Sequence, residues 1–307
     1  MMTMSGDKYN VFSSSIIGYS HIKNSKVCQD YSYSNNEENK CYIIVADGHG
    51  GDEYFRSDRG SKFVVEAGKE CIEELYKLPR KEVIDKINKE PKKVILQLGK
   101  SIISLWNDKV YEDYTSNPFL AEEIELLSDK LKNRIVCKKR MEVPYGTTFI
   151  MAFKFDETFI LMQIGDGSIV LINNEEKAIH PMEEDKKCFL NATTSLCDTN
   201  VIESLRYEIY KEPVKAIFIG TDGIEDSFSN GNQVEDFYLT MLATFMKSGF
   251  KKGIKEVLDF LPKLSKKGSR DDISLGVIVI DDESKGFMAK IKNNLGDIKN
   301  FISRDRK

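Results

Sequence analysis

Short apolar runs with few polar interruptions recur along the 307-residue chain. Their length and their β-branched content predict strands. Because the runs are apolar on both faces, we expect the sheets that they form to be covered on both sides. They are CYIIVA (41–46), TFIMAFKF (148–155), ETFILMQIG (157–165), SIVLIN (168–173), VKAIFIG (214–220) and ISLGVIVI (273–280). The second and third are joined through Asp156 and Glu157, which predicts a hairpin.

Helical patterns alternate with these strands. Apolar side chains recur at four-residue spacing and predict helices with one apolar face. Such patterns cover residues 61–77, 92–110, 234–247 and 254–264. Residues 112–143 are polar and irregular, so that stretch is either helical or an insertion. The order of the elements predicts sheets packed between helices.

The charge balance and the ends of the chain limit the class of protein. A net charge of −4, from 45 basic and 49 acidic residues, argues against a nucleic-acid-binding surface. The first residues have no charged segment followed by an apolar one, and no apolar run reaches the roughly 18 residues of a membrane helix. We therefore expect a cytoplasmic protein without a membrane segment. The six cysteines form no CxxC pair, which favours reduced core residues over disulfides or zinc.

An Asp-Gly pair follows an apolar strand at three places, which are Asp47, Asp166 and Asp222. Asp-Gly is a strong hairpin signal, and that interpretation fits Asp166 because another strand follows at once. It does not fit the other two, where no strand follows. Three more aspartates stand at strand starts: Asp30 precedes a short β-like run, and Asp271 and Asp272 lie just before the run 273–280.

Carboxylates gathered at strand ends repel one another unless cations neutralise them. Ligands that are all oxygen select Mg²⁺ or Mn²⁺ over zinc, and the three histidines of the chain are scattered. The glycines after the aspartates allow a main-chain carbonyl to approach an ion. The sequence lacks the order of an EF-hand loop, and it contains no phosphate-binding P-loop.

These motifs together resemble the metal-dependent protein phosphatases, also called the protein phosphatase 2C type. VADGHGG, GTT at 146–148, QIGDGSIVLI, FIGTDGIEDSF and SRDDIS occur in the order of that family, and GYSHIKNSKVCQDYS is similar to a bacterial subgroup. The resemblance implies an α+β fold, a four-layer α-β-β-α sandwich of two mainly antiparallel sheets flanked by helix pairs. We expect one phosphatase domain over 1–283, with its core at about 13–281. A basic tail, 284–307, is expected to form a helix on the surface.

The resemblance also implies roles for individual residues. It implies two Mn²⁺ or Mg²⁺ ions and allows a third. Asp47 would bridge the two ions, and the carbonyl of Gly48 would bind one of them. The other implied ligands are Asp222 and Asp271 at the first ion, Asp30 at the second and Asp166 at the third. His49 would be the general acid for the leaving alkoxide; a structural hydrogen bond is the alternative for a loop histidine.

The implied activity is hydrolysis of phosphoserine and phosphothreonine in proteins by a hydroxide that bridges the two ions. The chain departs from the family at Ser25, where many members have an arginine that holds the substrate phosphate. His21, Lys23 or Lys26 is expected to take that role, with His21 preferred because it belongs to the Ser-His motif of the subgroup. For the lysines, an exposed loop without a role is an equal alternative.

Two other functions stay open on the sequence alone. One is a pseudophosphatase that binds a phosphoprotein without hydrolysing it, which the intact Asp47, Asp222 and Asp271 disfavour. The other is a phosphatase for a small phosphoester. We expect the partner to be a phosphorylated protein substrate, modified by a separate Ser/Thr kinase. We expect a monomer that binds neither nucleic acid nor membrane.

Overall fold

The computed structural model describes residues 9–37, 40–125, 127–137, 139–183, 185, 193–280, 298 and 301. Within them ten strands form two five-stranded sheets in which all pairs are antiparallel. The strands are β1 (Tyr9–Ile16), β2 (Tyr31–Asn35), β3 (Cys41–Ala46), β4 (Phe149–Phe155), β5 (Thr158–Ile164), β6 (Ser168–Asn173), β7 (Ala178–Ile179), β8 (Arg206–Tyr210), β9 (Val214–Gly220) and β10 (Ile273–Ile280).

The helices fall into two groups along the chain. The first group precedes β4, and the second lies between β9 and β10, with one short helix after β1. They are α1 (Tyr19–Lys23), α2 (Ser57–Lys77), α3 (Arg80–Lys89), α4 (Pro91–Ser116), α5 (Ala121–Glu125), α6 (Asp129–Lys132), α7 (Asp222–Glu225), α8 (Gly231–Ser248) and α9 (Phe250–Lys267).

The two sheets stack face to face between helix pairs. Sheet I has the strand order β1-β10-β9-β6-β7, and sheet II has the order β2-β3-β4-β5-β8. The inner faces share one apolar core that includes Ile43, Ile150 and Ile217. Helices α2 and α4 cover the outer face of sheet II, and helices α8 and α9 cover that of sheet I. The predicted four-layer sandwich is therefore confirmed.

All six predicted strands are present, and so are the four predicted helices. Strands β4 and β5 form the predicted hairpin across Asp156, whose φ of 58° places it in the left-handed region. The sequence patterns did not indicate β1, β8 or α3, because their residues are mixed polar and apolar. The stretch 112–143 contains short helical segments.

The hairpin interpretation of Asp166 is wrong. Strand β5 pairs with β4 and β8 in sheet II, whereas β6 pairs with β7 and β9 in sheet I. The Asp166-Gly167 turn therefore carries the chain from one sheet to the other. It does so at the end of the sandwich where β3 and β9 also end, since Ser168 pairs with Gly220.

The antiparallel pairing brings the remaining aspartates to the same end. Tyr31 at the start of β2 pairs with Ala46 at the end of β3, so Asp30 and Asp47 lie side by side. Strand β10 begins beside the end of β9 in the same way, because Leu275 pairs with Gly220. One end of the sandwich thus collects all five predicted carboxylates.

Other expectations concern the cysteines, the membrane and the tail. None of the five cysteines that the structure describes forms a disulfide, and Cys188 lies outside the described residues. No described helix combines the length and the apolar character needed to cross a bilayer. The predicted tail is described only at Ile298 and Phe301, which are both buried against α8 and α9. The rest of the tail lies outside the described residues.

Candidate metal centre

Asp47 leaves the end of β3 and is held there by the GTT motif. Its main-chain N–H donates to Thr148 Oγ1 at 3.0 Å, and its carbonyl accepts from Thr147 Oγ1 at 2.7 Å and from the Thr148 N–H at 2.8 Å. Both threonines are buried. The backbone of Asp47 is therefore fixed on both sides, which leaves its side chain as the part that faces the centre.

Gly48 lies where no other residue fits. A Cβ atom added to it would stand 2.6 Å from the carbonyl oxygens of Gln29 and Ser57. The close approach allows a hydrogen bond, because the Gly48 N–H donates to the Gln29 carbonyl at 3.1 Å. The next carbonyl, that of His49, accepts from Gln29 Nε2 and from Ser57 Oγ. The loop is thus clamped between the start of β2 and the start of α2.

Three carboxylates meet at this point although they come from three different elements. Asp47 follows β3, Asp166 lies in the turn between the sheets, and Asp222 begins α7. One oxygen of each lies within 4.8 Å of the others. Asp47 also lies within hydrogen-bonding reach of Asp30, whose other partner is Thr221 Oγ1 at 2.8 Å.

Burial and mutual repulsion make these carboxylates hard to ionise together. Burial, reinforced by the neighbouring aspartates, raises the pKa of Asp30 and of Asp47 well above its usual range. Burial, together with Asp47 and Asp166, raises the pKa of Asp222 to about 10. Perturbation of this size through desolvation and a specific charged neighbour is typical of functional sites.

The SRDDIS motif brings two aspartates with different surroundings. Asp271 is exposed at the mouth of the centre, and its charge contributes to the raised pKa values of Asp47 and Asp222. Asp272 is buried and accepts from the N–H groups of Gly18 and Gln29 at 2.6 Å each. Asp271 therefore lies near Asp47 and Asp222, whereas Asp272 connects the loops around the centre.

His21 lies against this second aspartate. Its Nδ1 is 3.0 Å from an oxygen of Asp272, and the residue is 9% exposed. Oxygens of Asp271 and Asp272 and a ring nitrogen of His21 lie within 4.8 Å of one another. Lys23, Ser25 and Lys26 follow on an exposed segment, and Ser25 adopts a φ of 51°. Of the predicted phosphate contacts, His21 is buried at the rim and the lysines face solvent.

His49 combines a buried ring atom with carboxylate neighbours. Its Nε2 atom is buried and has no hydrogen-bond partner among the described residues. Its ring packs on Tyr54 with a centroid distance of 4.9 Å. Burial lowers the pKa of His49, and the carboxylates of Asp166 and Asp198 oppose that change. The ring is held by packing, so the interpretation of a structural hydrogen bond at Nε2 finds no partner here.

The donor set fits a hard divalent cation. The side chains that converge with Asp47 are carboxylates, those of Asp166 and Asp222, and no described cysteine lies among them. Mg²⁺ and Mn²⁺ prefer oxygen ligands, and a cation relieves the repulsion that raises the pKa values of these aspartates. Gln29 adds a buried Oε1 atom without a hydrogen-bond partner beside this loop. The residues present therefore fit the ions that the sequence predicted.

Several residues of the centre were given no role from the sequence. Gln29 and Ser57 clamp the Gly48 loop, and Asp272 joins three chain segments. The signal for Asp272 was available, because a second aspartate directly follows Asp271. Gln29 likewise stands next to Asp30. Ser57 gave no signal, since a serine at a helix start is most often a cap.

Comparison with known proteins agrees with the resemblance found in the sequence. A family model described as protein phosphatase 2C matches residues 17–259. A search of curated protein sequences found no match. Solved structures of low sequence identity share the fold.

Bacterial phosphatases are among these structures. The serine/threonine phosphatase of S. agalactiae is 17% identical, with 89% of this chain and 100% of that chain covered and a TM-score of 0.53. Stp1 of Staphylococcus aureus is 13% identical, with 92% and 98% covered and a TM-score of 0.54. The catalytic domain of PstP in complex with two manganese ions is 13% identical, with 89% and 99% covered and a TM-score of 0.52.

Proposed function

This chain belongs to the protein phosphatase 2C family, a family of hydrolases that use Mn²⁺ or Mg²⁺, and on that premise we propose that it removes phosphate from phosphoserine and phosphothreonine in proteins. We propose a single phosphatase domain that extends over residues 1–283. Its substrate would be a protein phosphorylated by a separate kinase.

The observation that carries the proposal is the convergence of Asp47, Asp166 and Asp222. One oxygen of each lies within 4.8 Å of the others at one end of the sandwich. Their repulsion opposes folding, since burial and like charges both disfavour ionised carboxylates. An arrangement that is unfavourable without a cation supports a site whose purpose is to hold one.

The residues of the chain divide the work between them. Asp47 would be a ligand of both ions, and the Gly48 carbonyl would bind one of them. Asp222 and Asp271 would hold the first ion, and Asp30 the second. Asp166 would hold a third. Ions held there would lower the pKa of a water and neutralise charge on the phosphoryl oxygens. The GTT segment keeps the Asp47 backbone in place throughout, so the cluster is organised before substrate arrives.

His49 is proposed to protonate the leaving oxygen of serine or threonine. An alkoxide is a poor leaving group, and a positioned proton donor contributes about 10²–10⁴-fold. The Nε2 atom is suitable because it has no competing hydrogen-bond partner among the described residues. Lys23 and His21 are proposed to hold the substrate phosphate in place of the arginine that Ser25 replaces. For His21 this leaves the Nε2 atom, since Nδ1 faces Asp272.

The test is phosphate release from a phosphothreonine peptide with Mn²⁺, with EDTA, and with the Asp222→Asn variant. We expect turnover with Mn²⁺ that falls by at least about 10³-fold in both controls. Asp259→Asn, on the exposed side of α9, is the matched variant that should keep full activity. A folded wild-type protein that binds Mn²⁺ and releases no phosphate would contradict the enzyme and favour a phosphoprotein-binding module. Turnover of small phosphoesters without turnover of the peptide would favour a phosphatase for small phosphoesters over a protein phosphatase.

A further inference from the structure

Three cations surround one aromatic ring beside the centre. Lys23 Nζ lies 5.1 Å from the centroid of the Tyr19 ring, Lys266 Nζ lies 5.2 Å from it, and the Arg270 guanidinium carbon lies 5.4 Å from it. They come from α1, from the last turn of α9, and from the connection between α9 and β10. We name these four residues the Tyr19 patch. It is assembled from distant parts of the chain.

None of these cations is neutralised by an acidic group in the described part of the chain. No carboxylate forms an ion pair with Lys23, Lys266 or Arg270, and all three are exposed. Other exposed cations behave differently: Arg80 pairs with Asp156 at 2.7 Å, and Lys93 pairs with Glu90 at 2.9 Å. Because the three share one ring, they lie within roughly a Debye length, about 10 Å at 0.1 M salt, and repel one another.

The backbone of the patch is held by hydrogen bonds, and the patch lies close to the metal centre. The Tyr19 N–H donates to Ser265 Oγ at 3.0 Å, and the Ser20 N–H and hydroxyl both donate to the Arg270 carbonyl. Arg270 adopts a φ of 69° and directly precedes the predicted ligand Asp271. Arg270 is therefore placed beside the mouth of the centre, and the backbone that carries Tyr19 and Arg270 is already connected before an anion binds.

The cavity beside Asp166 has an acidic lining. This cavity of about 470 Å³ is lined by Glu183, Asp185 and Glu225, and Arg206 is also in its lining. Two exposed apolar side chains lie on either side of Lys23 in the sequence, Ile22 at 57% and Val27 at 61%. The Tyr19 patch therefore offers a cationic surface with apolar neighbours, whereas the cavity beside Asp166 offers carboxylates.

We propose that the Tyr19 patch selects phosphopeptides that carry acidic side chains near the phosphorylated residue. This inference rests on the proposed function, because it names the substrate class of the same centre. The carboxylates of such a peptide would neutralise the cations around the ring, which no carboxylate of the described chain does. Each exposed charge pair contributes little, so the selection is expected to be several-fold and to weaken with salt.

The test uses three peptides that differ only beside the phosphothreonine, where three residues on each side are all Glu, all Gln or all Lys. Binding is measured by fluorescence anisotropy with non-hydrolysable phosphonate analogues in the presence of Mn²⁺, and turnover is measured with the phosphothreonine forms. The variants are Lys266→Glu in the patch and Lys252→Glu at the other end of the same helix, about 21 Å away. Both lysines are exposed on α9, so neither change disturbs the core.

We expect the wild-type protein to bind the Glu peptide roughly fivefold more tightly than the Gln peptide, and the Lys peptide least. Lys266→Glu should abolish or reverse this order, and Lys252→Glu should keep it. Equal binding of the three peptides, or a preference that survives Lys266→Glu, overturns the proposal. A preference without turnover would uphold the patch and refute the phosphatase, whereas turnover without preference would do the reverse. Neither binding nor turnover would refute both.

Discussion

Arg56 stabilises the chain segments behind the Gly48 loop through a buried set of hydrogen bonds. Its side chain is 4% exposed. Its guanidinium donates to both oxygens of Glu123, at 3.0 and 2.9 Å, and to the carbonyls of Asn117 and Pro118. It also donates to the Tyr145 hydroxyl at 2.9 Å. Removal of this one side chain takes the Arg56 donors from a partly buried carboxylate and from two carbonyls, and leaves Glu123 with the Leu120 N–H as a donor.

Arg56→Met should therefore lower the free energy of unfolding by about 3–5 kcal/mol, the range for breaking one side of a buried ion pair. We expect a value near the lower end of this range, because the Glu123 side chain is 23% exposed and water can reach it. The double variant Arg56→Met/Glu123→Gln should recover about 1 kcal/mol or more, since no charge is then left unpaired. Arg80→Met is the control: its pair with Asp156 is exposed on both sides, at 61% and 42%, and should contribute less than about 1 kcal/mol.

Urea unfolding followed by the fluorescence of Trp106, the one tryptophan, measures these differences directly. The contribution of the Arg56–Glu123 pair to stability depends on pH with a defined sign. Burial opposes ionisation of Glu123, but the hydrogen bonds from Arg56 and the Leu120 N–H outweigh it and lower its pKa. A lowered carboxyl pKa stabilises the fold above the unfolded value near 4.3, and that contribution is lost as the pH falls further. The difference in free energy of unfolding between the wild type and Arg56→Met should thus become smaller below about pH 4. If Arg56→Met destabilises the protein no more than Arg80→Met does, the reasoning is refuted.

Three further predictions concern the centre. His49→Gln should lower kcat for a phosphothreonine peptide by about 10²-fold or more but affect p-nitrophenyl phosphate far less, because nitrophenolate leaves without a proton; equal losses in steady-state assays would contradict the acid role. Gly48→Ala should destabilise the fold by about 1–3 kcal/mol in urea, since its Cβ would meet the carbonyls of Gln29 and Ser57 at 2.6 Å. Asp272→Ala should cost about 2–4 kcal/mol in the same assay, and Asp272→Asn less, because the alanine leaves two main-chain N–H donors without an acceptor.

The sequence predicted the buried strands well because they leave a clear apolar pattern, and the resemblance to the phosphatase family implied the four-layer sandwich. It also indicated the carboxylates, since an aspartate that ends a buried strand without a following hairpin needs another explanation. The hairpin interpretation of Asp166 was wrong because the dipeptide Asp-Gly predicts only a turn. Whether the next strand returns to the same sheet depends on tertiary pairing, and the pairing of β6 with β9 lies 40 or more residues along the chain.

Local sequence patterns could not predict contacts between segments that are distant along the chain. The Tyr19 patch joins residues near positions 19 and 266, and Arg56 meets Glu123 across an irregular stretch. His21 was predicted from its motif, yet its contact with Asp272 depends on how α1 meets β10. Propensity and spacing describe single elements, whereas these side chains acquire partners only when the elements pack together.

The central claim is that the aspartates at the strand ends hold divalent cations. The most direct measurement is the number of Mn²⁺ ions that the purified chain binds in equilibrium dialysis, compared with Asp47→Asn and Asp222→Asn. The account predicts at least two ions for the wild type and the loss of one or more in each variant. Both variants should stay folded, because a neutral amide relieves the repulsion that raises the pKa of Asp222 to about 10. A wild-type protein that binds no Mn²⁺, or variants that bind as many ions as it does, would contradict the account.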